Sequence, residues 1–359
     1  MSKKLRVGIL GGTGFVGQKL ITLLDNHPYF QVVLIAASGR SKGLTYEKAV
    51  ENRWKQDVDM PKWAGNMVVE DIKNIEIIKD QVDFVFCAVN MDKSEIQKIE
   101  EAYAKAEIPV ISNNSAHRMT KDVPIIIPEI NPHHIEIVES QKHRLGTTKG
   151  FIVAKPNCSL QSYVPAITPL MEFEPEKIMV STYQAISGSG KRPKDWPEME
   201  DNVIPYIGGE EEKSEKEPLK IWGQVNKDEI TLNGDIKISA QCIRVPVSHG
   251  HLATVAISFK NKPTEEEIKE RWRSFKGEPQ KLDLPMAPKE FIHYFEEADR
   301  PQTRIDRDLE KGMAVSVGRL RKDNIFQYKF VCLSHNILRG AAGGALLTAE
   351  FLYKKGYLY

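Results

Sequence analysis

Short apolar runs alternate with helical patterns over the first part of the chain. The apolar runs predict buried strands over Leu5–Leu10, Val32–Ala37, Asp83–Val89 and Pro109–Ser112. Apolar residues at helical spacing predict helices over Gln18–Asn26 and Lys93–Lys105. Strands that are apolar throughout and that alternate with helices are typical of a parallel sheet covered on both faces.

The pattern changes near Phe151–Asn157, because apolar and polar residues then alternate along longer segments. This alternation predicts half-exposed antiparallel strands over Ile178–Ile186, Ile236–Val247, Thr254–Phe259, Met313–Val317 and Ile325–Leu333. The last segment, Asn336–Tyr353, is rich in small residues and then helical. We expect it to pack back on the first part of the chain.

Two domains are expected for 359 residues. We predict an α/β fold in which residues 1–157 form the first domain, completed by a C-terminal helix within residues 336–359. Residues 158–335 would form an α+β domain with a mainly antiparallel sheet.

Charge and cysteine content narrow the class of protein. Lys and Arg number 50 and Asp and Glu 49, a net charge of +1, which argues against a nucleic-acid-binding protein. No apolar run approaches the roughly 20 residues of a membrane span, and the N-terminal residues do not resemble a secretory signal. The four cysteines lie far apart, so we expect neither a disulfide framework nor a metal site, and we predict a cytoplasmic protein.

A glycine-rich turn follows the first predicted strand. Gly12–Gly17 fits G-x-G-x-x-G, and it lies between a strand and a helix, as in dinucleotide-binding Rossmann domains. Glycine lets a pyrophosphate approach the backbone N–H groups at the N-terminus of the helix. The candidate cofactor-binding residues here are Gly11, Thr13, Gly14, Phe15 and Val16. A plain strand-to-helix turn is the alternative.

The second predicted strand ends in Ala36–Lys42, which contains no acidic residue. A domain that binds NAD normally places Asp or Glu here for the ribose 2′-hydroxyl group. Ser38, Arg40 and Ser41 instead offer donors and positive charge, which suit a 2′-phosphate and favour NADP. The alternative is a solvated basic loop.

Cys158 differs from the other cysteines because it precedes a predicted helix, Leu160–Met171. A thiol at a helix N-terminus is stabilised as thiolate, so Cys158 is a candidate covalent nucleophile. A buried structural cysteine is the alternative.

Two histidines and a glycine-rich segment supply further candidates. His251 is a candidate acid/base, whereas a metal bound between His249 and His251 lacks a third ligand in the sequence. Residues 187–191 fail the P-loop pattern and fit a turn whose N–H groups bind an anion, which makes Ser187 and Gly188 candidate cofactor contacts.

Seven segments, in order along essentially the whole chain, resemble the aspartate-β-semialdehyde dehydrogenase family in its archaeal and fungal branch. They are Gly11–Gly17, Asn113–Arg118, Pro156–Ser159, Gln184–Gly190, Asp201–Lys213, Arg244–His251 and His335–Gly343.

The resemblance implies reductive dephosphorylation of L-4-aspartyl phosphate by NADPH, for lysine, threonine and methionine synthesis. It implies that residues 158–335 form a catalytic and dimerisation domain, in a homodimer or homotetramer. The implied roles are Cys158 as nucleophile, His251 as acid/base, Gln184 orienting the acyl group, Arg244 on the α-carboxylate, Glu210 on the ammonium, Arg118 and Lys213 on phosphate, and Asn336 near the nicotinamide. His249 stands where relatives often carry Asp, which leaves its role open.

Three other functions are weighed against this one. A malonyl-CoA reductase would share the fold, but that branch lacks the Asn157 and Glu210–Lys213 features. A relative acting on N-acetylglutamyl phosphate would not need Glu210 for an acetylated amine. A non-catalytic NADP-binding regulator would lack the nucleophile or the base, and both are present.

Overall fold

The computed structural model describes residues 3–359. A parallel six-stranded sheet forms the first half of the molecule. Its strands are β1 (Leu5–Leu10), β2 (Phe30–Ala37), β3 (Glu70–Asp71), β4 (Phe84–Cys87), β5 (Val110–Ser112) and β6 (Ile152–Ala154). They lie in the order β3-β2-β1-β4-β5-β6, and all pairs are parallel. The predicted parallel sheet is confirmed, and its strand order reverses beside β1, the position where such sheets bind ligands.

A second, mixed six-stranded sheet follows, accompanied by a small hairpin of β8 (Gln224–Val225) and β9 (Ile230–Thr231). The strands of the large sheet are β7 (Pro175–Gln184), β10 (Lys237–Arg244), β11 (His251–Phe259), β12 (Ile292–Phe295), β13 (Val315–Lys322) and β14 (Tyr328–Ser334). Their order is β10-β7-β11-β14-β13-β12.

Two of the strand pairs in this sheet differ from the antiparallel prediction. The edge strand β10 runs parallel to β7, and β12, which the pattern did not predict, runs parallel to β13. The three central pairs are antiparallel. Alternation reports that one face of a strand is exposed, but it carries no information on the direction of the neighbouring strand.

The helices surround both sheets. The α-helices are α1 (Phe15–Leu23), α2 (Tyr46–Ala49), α3 (Lys62–Gly65), α4 (Ile75–Ile78), α5 (Lys93–Lys105), α6 (Val138–Leu145), α7 (Leu160–Ile167), α8 (Glu210–Ile221), α9 (Glu265–Ser274), α10 (Glu278–Lys281), α11 (Thr303–Asp306), α12 (Leu309–Gly312) and α13 (Gly343–Lys354). Short 3₁₀ segments are Pro132–Ile137, Thr168–Phe173, Ile186–Ser189, Pro193–Asp195 and Pro197–Met199, and Leu338–Ala342 is a π-helical turn.

Two helices differ from their predicted bounds for local reasons. Helix α1 starts three residues early, because it begins within the segment Gly12–Gly17, with Gly14 as its N-cap. Helix α7 gives way to a 3₁₀ segment at Thr168, beside Pro169, which has no N–H to continue the α-helical bonds.

Buried apolar side chains tie the end of the chain to its beginning. Leu346 and Ala349 of α13 share a core cluster with Val7, Ile9 and Phe86 of the parallel sheet. The C-terminal helix therefore packs on the first sheet. The exact domain boundary, between residues 157 and 158, stays a prediction.

A second core cluster lies under the mixed sheet, where Leu160 and Val164 of α7 pack with Val255 and Phe330. Strand β6 belongs to the first sheet and α7 to this second core. Residues 155–159, which connect them, therefore lie where the two halves meet.

Gly14 and Gly17 differ in how closely other backbone atoms approach them. A Cβ at Gly17 would lie 2.4 Å from the Gly11 carbonyl oxygen, whereas at Gly14 the nearest atom, the same oxygen, would be 3.4 Å away. We expect Gly17→Ala to lower the free energy of unfolding by about 2 kcal/mol, because backbone must move. The matched variant Gly14→Ala should lose about 0.5 kcal/mol, as alanine is a poorer N-cap than glycine. Urea denaturation curves for both variants check this, and equal losses would contradict it.

Candidate active site

The Cys158 thiol and the His251 imidazole meet between the two sheets. Cys158 follows β6, and His251 is the first residue of β11. The Sγ atom lies 3.4 Å from His251 Nε2. The two residues are 93 positions apart in the sequence, and the fold brings their side chains into contact.

A backbone hydrogen bond fixes the protonation of the imidazole. The Ala185 N–H donates to His251 Nδ1 at 3.0 Å, so the neutral ring carries its proton on Nε2, facing Cys158. Burial, with Arg244 next in importance, holds the pKa of His251 well below its ordinary value. His251 therefore presents a neutral N–H donor to the thiol side of the site.

The thiol itself departs from the sequence-based expectation. We expected a lowered pKa, but burial and the nearby Glu210 carboxylate raise the pKa of Cys158 to about 11. Lys155, Arg118 and Arg244 oppose this rise without cancelling it. The expectation was wrong because it counted the helix N-terminus and could not count desolvation or a carboxylate from a distant segment of the sequence.

Glu210 is the buried centre of a hydrogen-bond cluster. Its carboxylate accepts from Lys213 Nζ at 2.7 Å, Asn157 Nδ2 at 2.9 Å and Gln184 Nε2 at 3.1 Å. Burial would raise the pKa of Glu210, but Lys213 and these donors bring it below its ordinary value. The carboxylate is therefore an anion held ready for a cationic ligand group.

Arg118 is anchored through three of its nitrogen atoms. Nε donates to the Lys155 carbonyl oxygen at 2.9 Å, Nη1 to Glu217 at 2.9 Å and Nη2 to the Asn113 carbonyl oxygen at 3.0 Å. The guanidinium group is buried yet lines the central cavity. A fixed cation facing a cavity suits an anionic ligand.

Arg244, at the end of β10, is also held from behind. Its Nη1 donates to the Ala185 carbonyl oxygen at 2.7 Å, and a Cβ at Gly188 would lie 2.9 Å from Nη1 and 3.1 Å from His251 Nε2. Gly188 therefore leaves the space in front of both side chains open. Burial lowers the pKa of Arg244.

A cavity of about 180 Å³ joins the thiol to the glycine turn. Of the predicted site residues, those lining it are Phe15, Val16, Arg118, Cys158, Ser187, Gly188 and Asn336. It thus brings candidate cofactor contacts from both halves of the molecule to the nucleophile. The remaining glycine-turn residues, Gly11, Thr13 and Gly14, lie beside it at the N-terminus of α1.

Asn336 and Ser187 are hydrogen-bonded to each other at one end of this cavity. Asn336 accepts from the Gly250 N–H at 2.9 Å and donates to Ser187 Oγ at 2.9 Å. His249 Nδ1 contacts the same Oγ at 2.9 Å, and its ring stacks on His335. His249 thus lies against Ser187, whereas His251 contacts the thiol.

The basic loop after β2 lies next to the glycine turn, whose Gly11 N–H bonds to the Ala36 carbonyl oxygen. Ser38 and Arg40 are exposed, whereas Ser41 is buried. Lys42 approaches Asp71 at 3.7 Å, which reduces its contribution to a positive loop.

Sequence reasoning assigned no role to two residues that the structure places in the site. Asn157 bonds Glu210, and Glu217 bonds Arg118. The available signal was position: Asn157 precedes the nucleophile, and Glu217 lies seven residues, about two helical turns, after Glu210. Among residues 3–359, no group of three His, Cys, Asp or Glu side chains could hold a metal ion, and no helix is long and apolar enough to span a membrane.

Comparisons with known proteins agree on one family. The family model "Semialdehyde dehydrogenase, NAD binding domain" matches residues 6–138, and "Semialdehyde dehydrogenase, dimerisation domain" matches residues 167–339. The aspartate-semialdehyde dehydrogenase of Aspergillus fumigatus is 42% identical over 99% of both chains. That of Archaeoglobus fulgidus is 42% identical over 97% of this chain and 98% of its own. The crystal structure of the Candida albicans enzyme with NADP is 38% identical, with a TM-score of 0.89 over 99% of this chain and 100% of its own.

The charge of Glu210 gives a test of the thiol environment. Because that carboxylate raises the pKa of Cys158, we expect Glu210→Gln to lower it and to increase the fraction of thiolate at pH 8. The rate of Cys158 alkylation by iodoacetamide should rise roughly threefold, which corresponds to about half a pKa unit. Exposed Glu212, mutated to Gln, is the matched control. An unchanged or slower rate in Glu210→Gln would contradict the assignment.

Proposed function

Because the chain belongs to the aspartate-semialdehyde dehydrogenase family, we propose that it converts L-4-aspartyl phosphate and NADPH into L-aspartate 4-semialdehyde, phosphate and NADP. The observation that carries the proposal is the contact of Cys158 Sγ with His251 Nε2 at 3.4 Å, beside a cavity shared with Phe15, Asn336 and Arg118. The product feeds lysine, threonine and methionine synthesis.

The residues around the cavity fit NADP. The glycine turn offers the N-terminus of α1 to a pyrophosphate, and exposed Gly14 has no Cβ to hold the pyrophosphate away from the backbone N–H groups. Ser38, Arg40 and Ser41 suit the 2′-phosphate, and Asn336 and Ser187 lie where the ring end would approach Cys158. When bound there, the cofactor supplies the hydride.

Substrate binding uses the charged groups on either side of the thiol. Arg244 pairs with the α-carboxylate through its planar guanidinium group, and Glu210 accepts the ammonium. Arg118 and Lys213 hold the phosphate group, and Gln184 orients the acyl group. A substrate ammonium beside Glu210 offsets the charge that raises the pKa of Cys158, so substrate binding favours the thiolate.

The Cys158 sulfur attacks the acyl carbon, and the C–O bond to phosphate breaks to leave a thioester. The proton of the thiol leaves with the phosphate group, which departs as the hydrogen phosphate dianion. Arg118 and Lys213 stabilise the leaving dianion. His251 donates from Nε2 to the oxygen that becomes negative in each tetrahedral state, which is the acid half of its acid/base role. After reduction of the thioester, the C–S bond breaks and the sulfur leaves as the aldehyde forms.

A homodimer is part of the proposal, since the second family model is described as a dimerisation domain. Helices α7 and α9 pack on the mixed sheet, while Met179, Tyr183, Leu252 and Val331 remain partly or largely exposed on it. Such an apolar sheet face suits a second copy of the chain. A homotetramer would need a further contact. All four cysteines are unpaired, which supports a cytoplasmic location.

The activity is tested in the phosphorylating direction. We expect the purified protein to reduce NADP faster than NAD when it is given aspartate semialdehyde and phosphate, and Cys158→Ala to lose at least about a thousandfold in turnover while still binding NADPH. Absorbance of NADPH measures the reaction, and fluorescence of the bound cofactor measures the binding. No formation of NADPH in this assay, together with consumption of NADPH when malonyl-CoA is supplied, would instead favour the acyl-CoA reductase.

The interface is tested by a charge on the exposed sheet face. Met179→Lys should shift the protein toward monomers, because a lysine at a self-complementary interface meets its own copy. Light scattering after gel filtration measures the mass, and Ile325→Lys, at a 90% exposed position in the loop between β13 and β14, is the control. An unchanged mass for both variants would remove this face from the interface.

A further inference from the structure

Helix α8 carries charged side chains that the mechanism does not use. Glu210 and Lys213 belong to the proposed substrate site, but Glu217 and Lys220 lie farther along the helix and are almost fully buried, with 2% and 1% of their surface exposed. Charged side chains are rarely so buried unless they are paired. Glu217 binds Arg118 and Asn157 of the active site, and Lys220 binds the backbone between Arg118 and Val123.

Glu217 joins two parts of the site through one carboxylate. Its Oε1 accepts from Arg118 Nη1 at 2.9 Å, and its Oε2 accepts from the backbone N–H of Asn157 at 2.8 Å. Arg118 is the cation proposed for phosphate, and Asn157 is the residue directly before Cys158. The carboxylate therefore spans the distance between the phosphate site and the nucleophile segment.

The contact with Glu217 also decides which way the Arg118 guanidinium faces. A guanidinium has five N–H groups, and the Lys155 carbonyl, the Asn113 carbonyl and Glu217 each receive one. The remaining N–H groups are available to the cavity that Arg118 lines. Without Glu217, the Nη1 end would lose its charged partner and the plane could rotate about the other two bonds.

Helix α8 also fixes the backbone of the loop that carries Arg118. Lys220 Nζ donates to the carbonyl oxygens of Arg118, Thr120 and Val123 at 2.8, 2.6 and 2.7 Å. Lys220 therefore holds the backbone of the loop, while Glu217 holds the Arg118 side chain. Lys220 therefore has a general structural role, whereas Glu217 sets the orientation of the Arg118 side chain.

The hydrogen bond from the Asn157 N–H to Glu217 holds the segment that carries the thiol. Its Nδ2 donates to Glu210, and its Oδ1 accepts from the Ser159 N–H at 2.8 Å, on the far side of Cys158. Cys158 thus lies between two residues that are bonded to each other and, through Asn157, to α8. A shift of the Asn157 backbone would move the sulfur relative to the phosphate site.

We propose that Glu217 is a positioning residue that sets Arg118 against Cys158 for phosphate binding and departure. This rests on the proposed function, in which Arg118 holds phosphate. Glu217 contacts neither of the residues proposed for the substrate's carboxylate and ammonium groups, Arg244 and Glu210. Its loss should therefore weaken phosphate binding more than binding of the semialdehyde, whereas a purely structural role would weaken every step alike.

The test is Glu217→Gln in the full-length enzyme, with NADP reduction measured at varied phosphate. Both partners of the carboxylate are donors, so an amide can satisfy only one of them. We expect KM for phosphate to rise about tenfold, as for the loss of one hydrogen bond to a charged group. KM for the semialdehyde and Kd for NADPH should stay within about twofold. Glu212→Gln, at an exposed position of the same helix, should change none of them.

Glu217→Asp provides the second variant if Glu217→Gln does not fold. It keeps a charge for Arg118, but its shorter side chain cannot reach both Arg118 and the Asn157 N–H, so a smaller rise in KM for phosphate with the same selectivity is expected. Equal changes in all three constants, a change in kcat alone, or no change would overturn the proposal. Wild-type enzyme without phosphate-dependent NADP reduction would instead refute the proposed function, before any variant is compared.

Discussion

Cys158 Sγ lies 3.4 Å from His251 Nε2 because strands of two separate sheets end close to each other. Cys158 leaves the parallel sheet through β6, while His251 opens β11 of the mixed sheet, next to the end of β7. Because β7 and β11 are antiparallel, the end of β7 and the start of β11 lie at the same end of the mixed sheet. That end of the sheet faces the carboxyl ends of the parallel strands, where a dinucleotide binds in folds of this type.

The buried charges of α8 are tolerated because each has a partner of opposite charge or several backbone dipoles. Glu210 pairs with Lys213, and Glu217 with Arg118, while Lys220 is held by three carbonyl oxygens. Removing water strengthens these contacts and makes any unpaired member unfavourable. The arrangement is therefore rigid before substrate arrives, which is what stabilisation of developing charge requires.

Several parts of the site follow from local sequence. Gly11–Gly14 lies between β1 and α1 as the pattern predicted, and Cys158 precedes α7. The roles of Glu210 and Lys213 came from the family resemblance, since neighbouring Glu211, Glu212 and Glu215 look alike in sequence. Two of these neighbours bind the edge strand β10 instead, because Glu211 accepts from the Cys242 N–H and Glu215 from the Ala240 N–H.

The sequence by itself determined the alternation of strands and helices, the parallel first sheet, the glycine turn and the nucleophile candidate, because each depends on neighbouring residues. Only the tertiary structure decided the parallel pairing of β10 with β7, the proton position on His251, the raised pKa of Cys158 and the partners of Glu217. Each of these is set by atoms from distant segments, such as a neighbouring strand, a backbone N–H or a buried carboxylate. Local pattern reports which residues are buried, but the groups they meet there depend on how the two halves of the chain come together.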